Sequence, residues 1–364
     1  MNAYGESLSI TLEAICDSFT SLLWDIECYN CGSFEVYIAA SPRNIEIFQT
    51  GRIVGRDDDS RHFGLIESVQ IDTNAENGDY LTVKGRFLMC LLERRIIYPT
   101  LSFTSKTSYA DIVRTAVTNN AINSGNRKLP GLSLGTVSGS VWNSTTTLQI
   151  SYANLMEWVY TICEKIGGTA NIRLQKVTEG QYSMLFDLSE GADRSISQDE
   201  NPHIIFSDAY TNLLTFTYAE NTEKQRNFAY ILGHGEGEER KRTTYCIRSE
   251  PILLERYEVY VDAKDISEEE QIDGQTVPIP EEKYIELLKT KGSENLVPPK
   301  TISESEIAAN NTQFVYNRDY AVGDYVTVEH HRFGLRQNRI QLVGMIESFD
   351  QNGRSLTPTF KKEE

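Results

Sequence analysis

Two stretches of alternating apolar and polar residues, one on each side of a helical middle region, constrain this chain more than any other feature. In the first stretch, Leu22, Trp24 and Ile26 occupy alternate positions, and Phe34 and Val36 continue the pattern. Alternation with period two is typical of half-buried strands. Short strands separated by turn residues predict a barrel or a sandwich.

Within this first stretch, further residues predict the direction of side chains. Leu65, Glu67, Val69 and Ile71 are expected on one face of a strand. The turn signal Ser41-Pro42-Arg43-Asn44 is interpreted as a link within the strand-rich region. A short closing helix is predicted near residues 87–92.

The middle region predicts a mixed α+β unit. Apolar residues at helical spacing predict helices over 105–119, with Ser108 as its cap, and over 152–166, ended by Gly167-Gly168. Residues 129–144 are rich in glycine and serine and are predicted to form a loop. Alternating segments at 170–174 and 182–188 predict strands.

A second β-rich unit begins near residue 204 and is interrupted by a segment rich in Glu, Lys and Pro. That segment, 251–310, contains one predicted helix at 281–291 and is expected to be inserted. Strands are predicted again from 312–316 to the hairpin at Asn352-Gly353. The expected domains are therefore 1–98 (β), 99–204 (α+β), 205–250 with 311–364 (β), and 251–310 (the insertion).

The charge of the chain excludes several function classes. There are 52 acidic and 35 basic residues, which gives a net charge of -17. Such a surface disfavours specific nucleic-acid binding and docking on anionic lipid. No run of about 18 apolar residues is present, so membrane insertion is not expected. The start of the chain also lacks the pattern of a secretory signal.

The sequence offers no pattern that predicts a cofactor, a metal or a catalytic residue. Cys28 and Cys31 have CxxC spacing but no second pair to complete a zinc site, so buried reduced thiols are expected. His330 and His331 are adjacent on a predicted strand, and their rings should point to opposite faces. Structural or surface roles are therefore expected for both histidines.

Two loops are candidates for subunit contacts. The glycine loop, Gly233-His234-Gly235-Glu236-Gly237-Glu238-Glu239-Arg240, leads into a strand, so it does not fit the dinucleotide fingerprint. A hairpin tip is the simpler interpretation, and an interface loop is the functional alternative. Asp57, Asp58 and Asp59 lack the spacing of a calcium loop and predict a solvated turn.

Four segments, taken in order, resemble a known family. They are Trp24 to Gly32 with Phe34-Glu35-Val36, Val83-Lys84-Gly85-Arg86 running to Leu91–Arg95, Gly233–Arg240 with Glu255–Asp265, and Gly323–Val328 with the closing Glu347–Phe360 hairpin. Together they resemble the ReqiPepy-type siphovirus tail protein family. That family is similar to the tail and baseplate hub proteins of long-tailed phages and contractile injection systems.

The resemblance implies a mainly β fold with α+β portions. It implies two tail-tube-like β-barrels, a mixed α+β domain between them and a small insertion in the second barrel. It also implies a homotrimer, because three chains with two barrels each present six similar units to a six-fold tube ring.

The resemblance also implies the partners and the location. The partners would be a tail tube protein or distal tail ring, a tip, spike or lytic protein, and as a further candidate the tape-measure protein. The location would be the tail tip or baseplate of a virion or related particle, assembled in the bacterial cytoplasm. Since the chain stops just past its closing hairpin, we expect any lytic activity to come from a partner.

Two alternatives remain open from the sequence. The 19 tyrosines and 14 phenylalanines suit a β core and protein interfaces, but exposed aromatic residues also bind sugars. A tail-tip protein that binds host cell-wall carbohydrate is therefore the first alternative. A wall endopeptidase or glycosidase is the second, although no catalytic constellation supports it.

Overall fold

The computed structural model describes residues 8–74, 78–272, 275–307 and 313–361. As predicted, the described chain is mainly β. Its strands are β1 (Leu8–Ser9), β2 (Ser21–Glu27), β3 (Ser33–Ala39), β4 (Ile53–Arg56), β5 (Asp59–Asn74), β6 (Gly78–Phe87), β7 (Leu101–Ser108), β8 (Leu132–Val137), β9 (Thr145–Ile150), β10 (Gly168–Thr178), β11 (Gln181–Glu190), β12 (Ile205–Ser207), β13 (Leu213–Asn221), β14 (Phe228–Leu232), β15 (Arg242–Cys246), β16 (Glu258–Asp262), β17 (Glu269–Ile272), β18 (Gln275–Pro278), β19 (Lys300–Ile307), β20 (Tyr325–His330), β21 (Leu335–Asp350) and β22 (Gly353–Lys361). The α-helices are α1 (Pro42–Ile47), α2 (Cys90–Glu93), α3 (Tyr109–Val117), α4 (Leu155–Ile166) and α5 (Glu281–Glu294).

The first β unit consists of β2, β3, β6, β5 and β4, paired in that order and antiparallel throughout. A β-bulge between Ile66 and Ser68 shifts the register of β5. Because of the bulge, Leu65 and Ile66 are both buried, whereas Glu67 and Ile71 are exposed. The prediction of one continuous face from Leu65 to Ile71 is therefore wrong.

A short helix lies where the sequence pattern indicated a link between strands. The hydroxyl of Ser41 accepts a hydrogen bond from the Asn44 amide at 3.1 Å, which caps α1. Pro42 occupies the first turn, where a missing amide hydrogen costs nothing. The same residues that signalled a turn therefore begin a helix. The predicted closing helix is confirmed as α2.

The middle region contains both predicted helices, but α3 begins only at Tyr109, because residues 105–108 belong to β7, and α4 begins at Leu155. Ser108 caps α3, and Gly167 ends α4 in the left-handed conformation. The expected loop over 129–144 is partly wrong, because it contains β8, which pairs in parallel with β11. That pairing joins positions about fifty residues apart, as in Leu134 opposite Phe186, so the glycine- and serine-rich composition gave no sign of it.

One eleven-stranded sheet carries both β units. The strand β2 pairs with β21, so the sheet continues from the first unit into β22, β19 and β13. Along β21, residues 335–341 pair with β20, and residues 344–349 pair with β2. None of the sheets in the described chain closes into a barrel, so the expected pair of barrels is not confirmed.

A smaller sheet contains β15, β14 and β16, with α5 packed against it. The expected boundary at residue 251 falls inside this sheet, between β15 and β16; the division into four domains stays a prediction. Of the predicted strand at 312–316, residue 312 lies outside the described residues. Gln313–Tyr316 forms no strand, only a bridge from Tyr316 to Tyr320.

Candidate assembly surfaces

The glycine loop is a hairpin tip between β14 and β15, as the simpler interpretation predicted. Gly235 and Gly237 have φ angles of 105° and 54°, a region that favours glycine. At the base of the loop, the buried guanidinium of Arg240 donates to the carbonyls of Leu232 and Gly233, each at 2.7 Å. Arg240 also pairs with Asp262 of β16. The base of the loop is therefore fixed to two neighbouring strands.

The upper part of the glycine loop faces solvent. The His234 amide donates to the Tyr284 hydroxyl at 2.8 Å, while the His234 side chain is exposed. Glu236, Glu238 and Glu239 are exposed as well. Within the described parts of the chain, no basic group forms an ion pair with these three carboxylates. An interface role for this loop stays a prediction.

The second candidate loop contains one buried carboxylate. Asp57 and Asp58 are exposed, as expected for a solvated turn, but Asp59 is only 4% exposed. Its carboxylate accepts a hydrogen bond from the Trp24 indole at 3.0 Å and lies 2.8 Å from His62 Nδ1. Burial opposes ionisation, but the contact with His62 and the hydrogen bonds to Asp59 outweigh it and lower the Asp59 pKa. The expectation of a solvated turn is therefore wrong for Asp59.

A buried ion-pair network crosses the junction of the two β units. Glu347 of β21 is 1% exposed and contacts Arg56 of β4 and Arg354 of β22. Arg56 also pairs with Asp58 at 2.6 Å. Burial opposes the charge of Arg56, but hydrogen bonds to Asp58 and Glu347 outweigh it and raise the Arg56 pKa. Since Glu347 lies opposite Trp24 in the β2–β21 register, the network ties the strands of both units together.

A polar cleft of about 610 Å³ adjoins this junction. Its charged lining includes two ion pairs, Arg173 with Asp187 at 2.5 Å and Arg194 with Asp324 at 3.0 Å. Across the described residues, no group of three or more His, Cys, Asp or Glu is placed to hold a metal ion. The Arg194–Asp324 pair joins the middle region to the second β unit, whereas the Arg173–Asp187 pair lies within the middle region, between β10 and β11.

Cys28, Cys31 and His330 pack against other parts of the chain. Cys28 and Cys31 are buried, as predicted, and their thiols donate to the carbonyls of Leu342 and Phe87. Burial raises the pKa of both thiols, that of Cys31 to about 12, so neither is a ready nucleophile. The half-buried ring of His330 stacks on Phe333 with centroids 4.5 Å apart.

The sequence reasoning did not single out the network around Glu347. One signal was present, because Met345 and Glu347 alternate on the same face of β21 and both are buried. A charged residue on an apolar face requires partners. The identity of those partners was not available from the pattern, since Arg56 lies 291 positions away.

None of the helices in the described ranges is long and apolar enough to cross a bilayer. Among curated proteins, no sequence match was found.

Three solved structures with a similar fold are tail proteins, two of them from prophages. The tail protein of Neisseria meningitidis MC58 superposes with a TM-score of 0.59 at 14% identity, covering 95% of this chain and 93% of that one. The 43 kDa tail protein of prophage MuSo2 from Shewanella oneidensis superposes with a TM-score of 0.57 at 11% identity, covering 94% of each chain. Prophage tail protein gp18 of Listeria monocytogenes EGD-e gives 0.52 at 12% identity, covering 95% and 90%. At such low identities, the likeness shows a shared fold.

The sequence itself identifies the family. The profile described as Siphovirus ReqiPepy6 Gp37-like protein matches residues 7–360, which is nearly the whole chain. The resemblance predicted from the four segments is thereby confirmed, and the chain belongs to the Siphovirus ReqiPepy6 Gp37-like protein family.

Proposed function

We propose that this protein is a non-enzymatic structural subunit of a phage-type tail, and that three copies form the hub closing the tail tube at its tip. One observation carries the proposal: a single open sheet holds both β units of a chain whose fold is that of phage tail proteins.

An open sheet leaves edge strands with unpaired backbone groups, which form ready contacts with another chain. In the described chain, β13 pairs only with β19, and β4 pairs only with β5. The nine-residue strand β13 is mostly exposed. We propose that these two ends of the sheet face neighbouring subunits, and that tube-like barrel walls are completed in the assembled ring.

The proposed symmetry follows from the two β units. One tube-like unit comprises the strands β2 to β6, and the other comprises β12, β13 and β19 to β22. Three copies then present six similar units, which suits contact with a six-fold tail tube ring. The α+β region 99–204 and the smaller sheet of β14, β15 and β16 with α5 lie outside this repeat, whereas β19, inside the predicted insertion 251–310, belongs to the shared sheet.

The proposed partners and location follow from this position. The hub binds the tail tube protein or distal tail ring on one side and a tip, spike or lytic protein on the other. The tape-measure protein is a further candidate inside the tube. The subunit is assembled in the bacterial cytoplasm and resides at the tail tip or baseplate of the particle.

The acidity of the chain suits this role. With a net charge of -17, a ring lumen lined with carboxylates repels phosphate and lets DNA pass without binding it. A map of the assembled ring with a neutral or basic bore would reject this part of the proposal.

Two measurements test the hub. Sedimentation velocity of the purified full chain should give the mass of three copies. In native particles, antibody against the chain should label the tail tip in electron micrographs. A purified chain that stays monomeric at all concentrations, or labelling along the whole tube, would overturn the proposal.

A further inference from the structure

One surface at the boundary between the first β unit and the middle region combines exposed apolar residues with arginines. Ile96, Tyr98 and Tyr152 are 51%, 56% and 73% exposed. The two tyrosine rings lie against each other, with centroids 5.9 Å apart. Large side chains exposed together in this way are typical of protein interaction sites. We call these three residues, with Arg94, Arg95 and Arg127, the basic tyrosine patch.

The arginines of the patch hold its backbone in place. Arg127 donates to the carbonyl of Tyr98 at 3.1 Å and to that of Ile96. Arg95 donates to the carbonyls of Arg127 and Arg94. These arginines therefore bind neutral oxygens, and within the described ranges no carboxylate forms an ion pair with Arg94, Arg95 or Arg127.

Three arginines without an ion pair among the described residues are unexpected in a chain with 52 acidic and 35 basic residues. The nearby carboxylate of Glu93 pairs with Arg86, and its pKa is lowered mainly by that hydrogen bond and further by the charges of Arg86 and Arg94. Desolvation and the neighbouring charges of Arg127 and Arg94 lower the Arg95 pKa, which indicates mutual repulsion. An acidic partner would relieve that repulsion.

The exposed tyrosine is also held in an uncommon conformation. Tyr152 has a φ angle of 54°, in the left-handed region that a bulky residue rarely adopts. Its amide donates to the Ile97 carbonyl at 2.8 Å, which fixes the turn. Such conformations concentrate at functional positions. The ring of Tyr152 is thus presented to solvent on a fixed backbone.

We infer that the basic tyrosine patch of one copy binds the glycine loop of a second copy. The loop presents Glu236, Glu238 and Glu239 without basic partners among the described residues, and its base is fixed by Arg240. Among the described residues, these three carboxylates and the three arginines of the patch form no ion pairs, and their opposite charges are complementary, while Arg95 and Arg127 also donate to backbone carbonyls. A contact between two different surfaces of the same chain is the kind that closes a ring. This inference rests on the proposed trimer and names its contact.

Charge reversal tests the contact in the purified full chain. Arg94→Glu and Glu238→Arg should each weaken association at least tenfold in sedimentation velocity, on the order of the coupling of close interfacial charges. The double variant should recover most of the loss, because the opposite charges face each other again. Arg43→Glu, on the exposed surface of α1, is the matched control and should associate like the wild type. Circular dichroism verifies the fold of each variant.

Each outcome bears on a separate claim. If the wild type is trimeric and each single variant associates as tightly as the wild type, the proposed contact is wrong and the trimer stands. A double variant no tighter than either single variant would overturn the pairing of patch and loop. If Arg94→Glu keeps the trimer but loses binding to purified cell-wall polysaccharide, the patch is a carbohydrate site and the second-copy assignment fails. If the wild type stays monomeric at all concentrations, both the proposed trimer and the proposed contact are wrong.

Discussion

Glu347 is the residue on which the junction of the β units depends. It is 1% exposed and lies between Arg56 and Arg354. Glu347→Gln keeps the shape of the side chain but leaves Arg56 and Arg354 without their shared carboxylate. We expect the free energy of unfolding to fall by about 3 kcal/mol, measured by urea denaturation with tryptophan fluorescence. Glu35→Gln, in an exposed pair with Lys84, is the control and should cost less than about 1 kcal/mol. Equal effects of the two substitutions would mean that the buried network adds no more stability than one exposed ion pair.

Because of Asp59, the free energy of unfolding should depend on pH. The folded protein holds the Asp59 pKa below the ordinary value of 3.8. The contribution of Asp59 is therefore present above that pH and is lost as the pH falls further. Thermal midpoints between about pH 5 and pH 2 should fall less steeply for Asp59→Asn than for the wild type. Asp57→Asn, in the exposed part of the same turn, should keep the wild-type slope.

These two residues also mark a limit of sequence reasoning. The type of each residue was visible, but its burial depends on partners that are distant in the chain. Asp59 binds Trp24, 35 positions away, and Glu347 binds Arg56, 291 positions away. Alternation predicts which face of a strand a residue occupies, but it does not predict which strand packs beside it.

At the scale of elements, Arg240 fixes the glycine loop. Arg240→Ala removes the hydrogen bonds to the carbonyls of Leu232 and Gly233 and the pair with Asp262. We expect amides over 233–239 to exchange with solvent at least about tenfold faster, since local opening then breaks fewer bonds. Hydrogen exchange with mass spectrometry measures this. Arg242→Ala, exposed on β15, is the control. Unchanged exchange in Arg240→Ala would show that the hairpin alone holds the loop.

Elements with local signals were predicted well. The cap at Ser108 and the left-handed Gly167 lie within one turn of the helices they bound, so α3 and α4 were predictable. In contrast, β8 forms because β11 offers an edge about fifty residues further on. The helix α1 was missed for another reason, because serine followed by proline is common to turns and to helix starts.

At the scale of the molecule, the pairing of β2 with β21 decides the architecture. Leu22 lies opposite Phe349 in this pairing, so the contact joins nearly the two ends of the chain. Two β-rich stretches predict two β units, but no pattern in either stretch indicates that they share a sheet. The sequence therefore predicted a mainly β chain, whereas its division into domains stays a prediction and the barrels expected from the family resemblance are not confirmed.

A shared sheet predicts shared unfolding. Gly85 of β6 faces the Leu65 carbonyl so closely that an added Cβ would lie 1.9 Å from its oxygen. Gly85→Ala should therefore destabilise the first β unit by about 2 kcal/mol or more. Because β2 pairs with β21, the loss should also speed hydrogen exchange in β20, β21 and β22. The separate sheet of β14, β15 and β16 should keep its wild-type protection.

Gly344→Ala is the matched control for this experiment. Gly344 also lies in the shared sheet, but its added Cβ would meet nothing closer than 3.5 Å, an ordinary contact. We therefore expect backbone amides throughout the Gly344→Ala variant to exchange hydrogen at the wild-type rates. If Gly85→Ala loosens the first unit and leaves β20 to β22 protected, the two β units unfold independently. The sheet would then be continuous in its hydrogen bonding but divided in its stability, and a hub could move one β unit against the other.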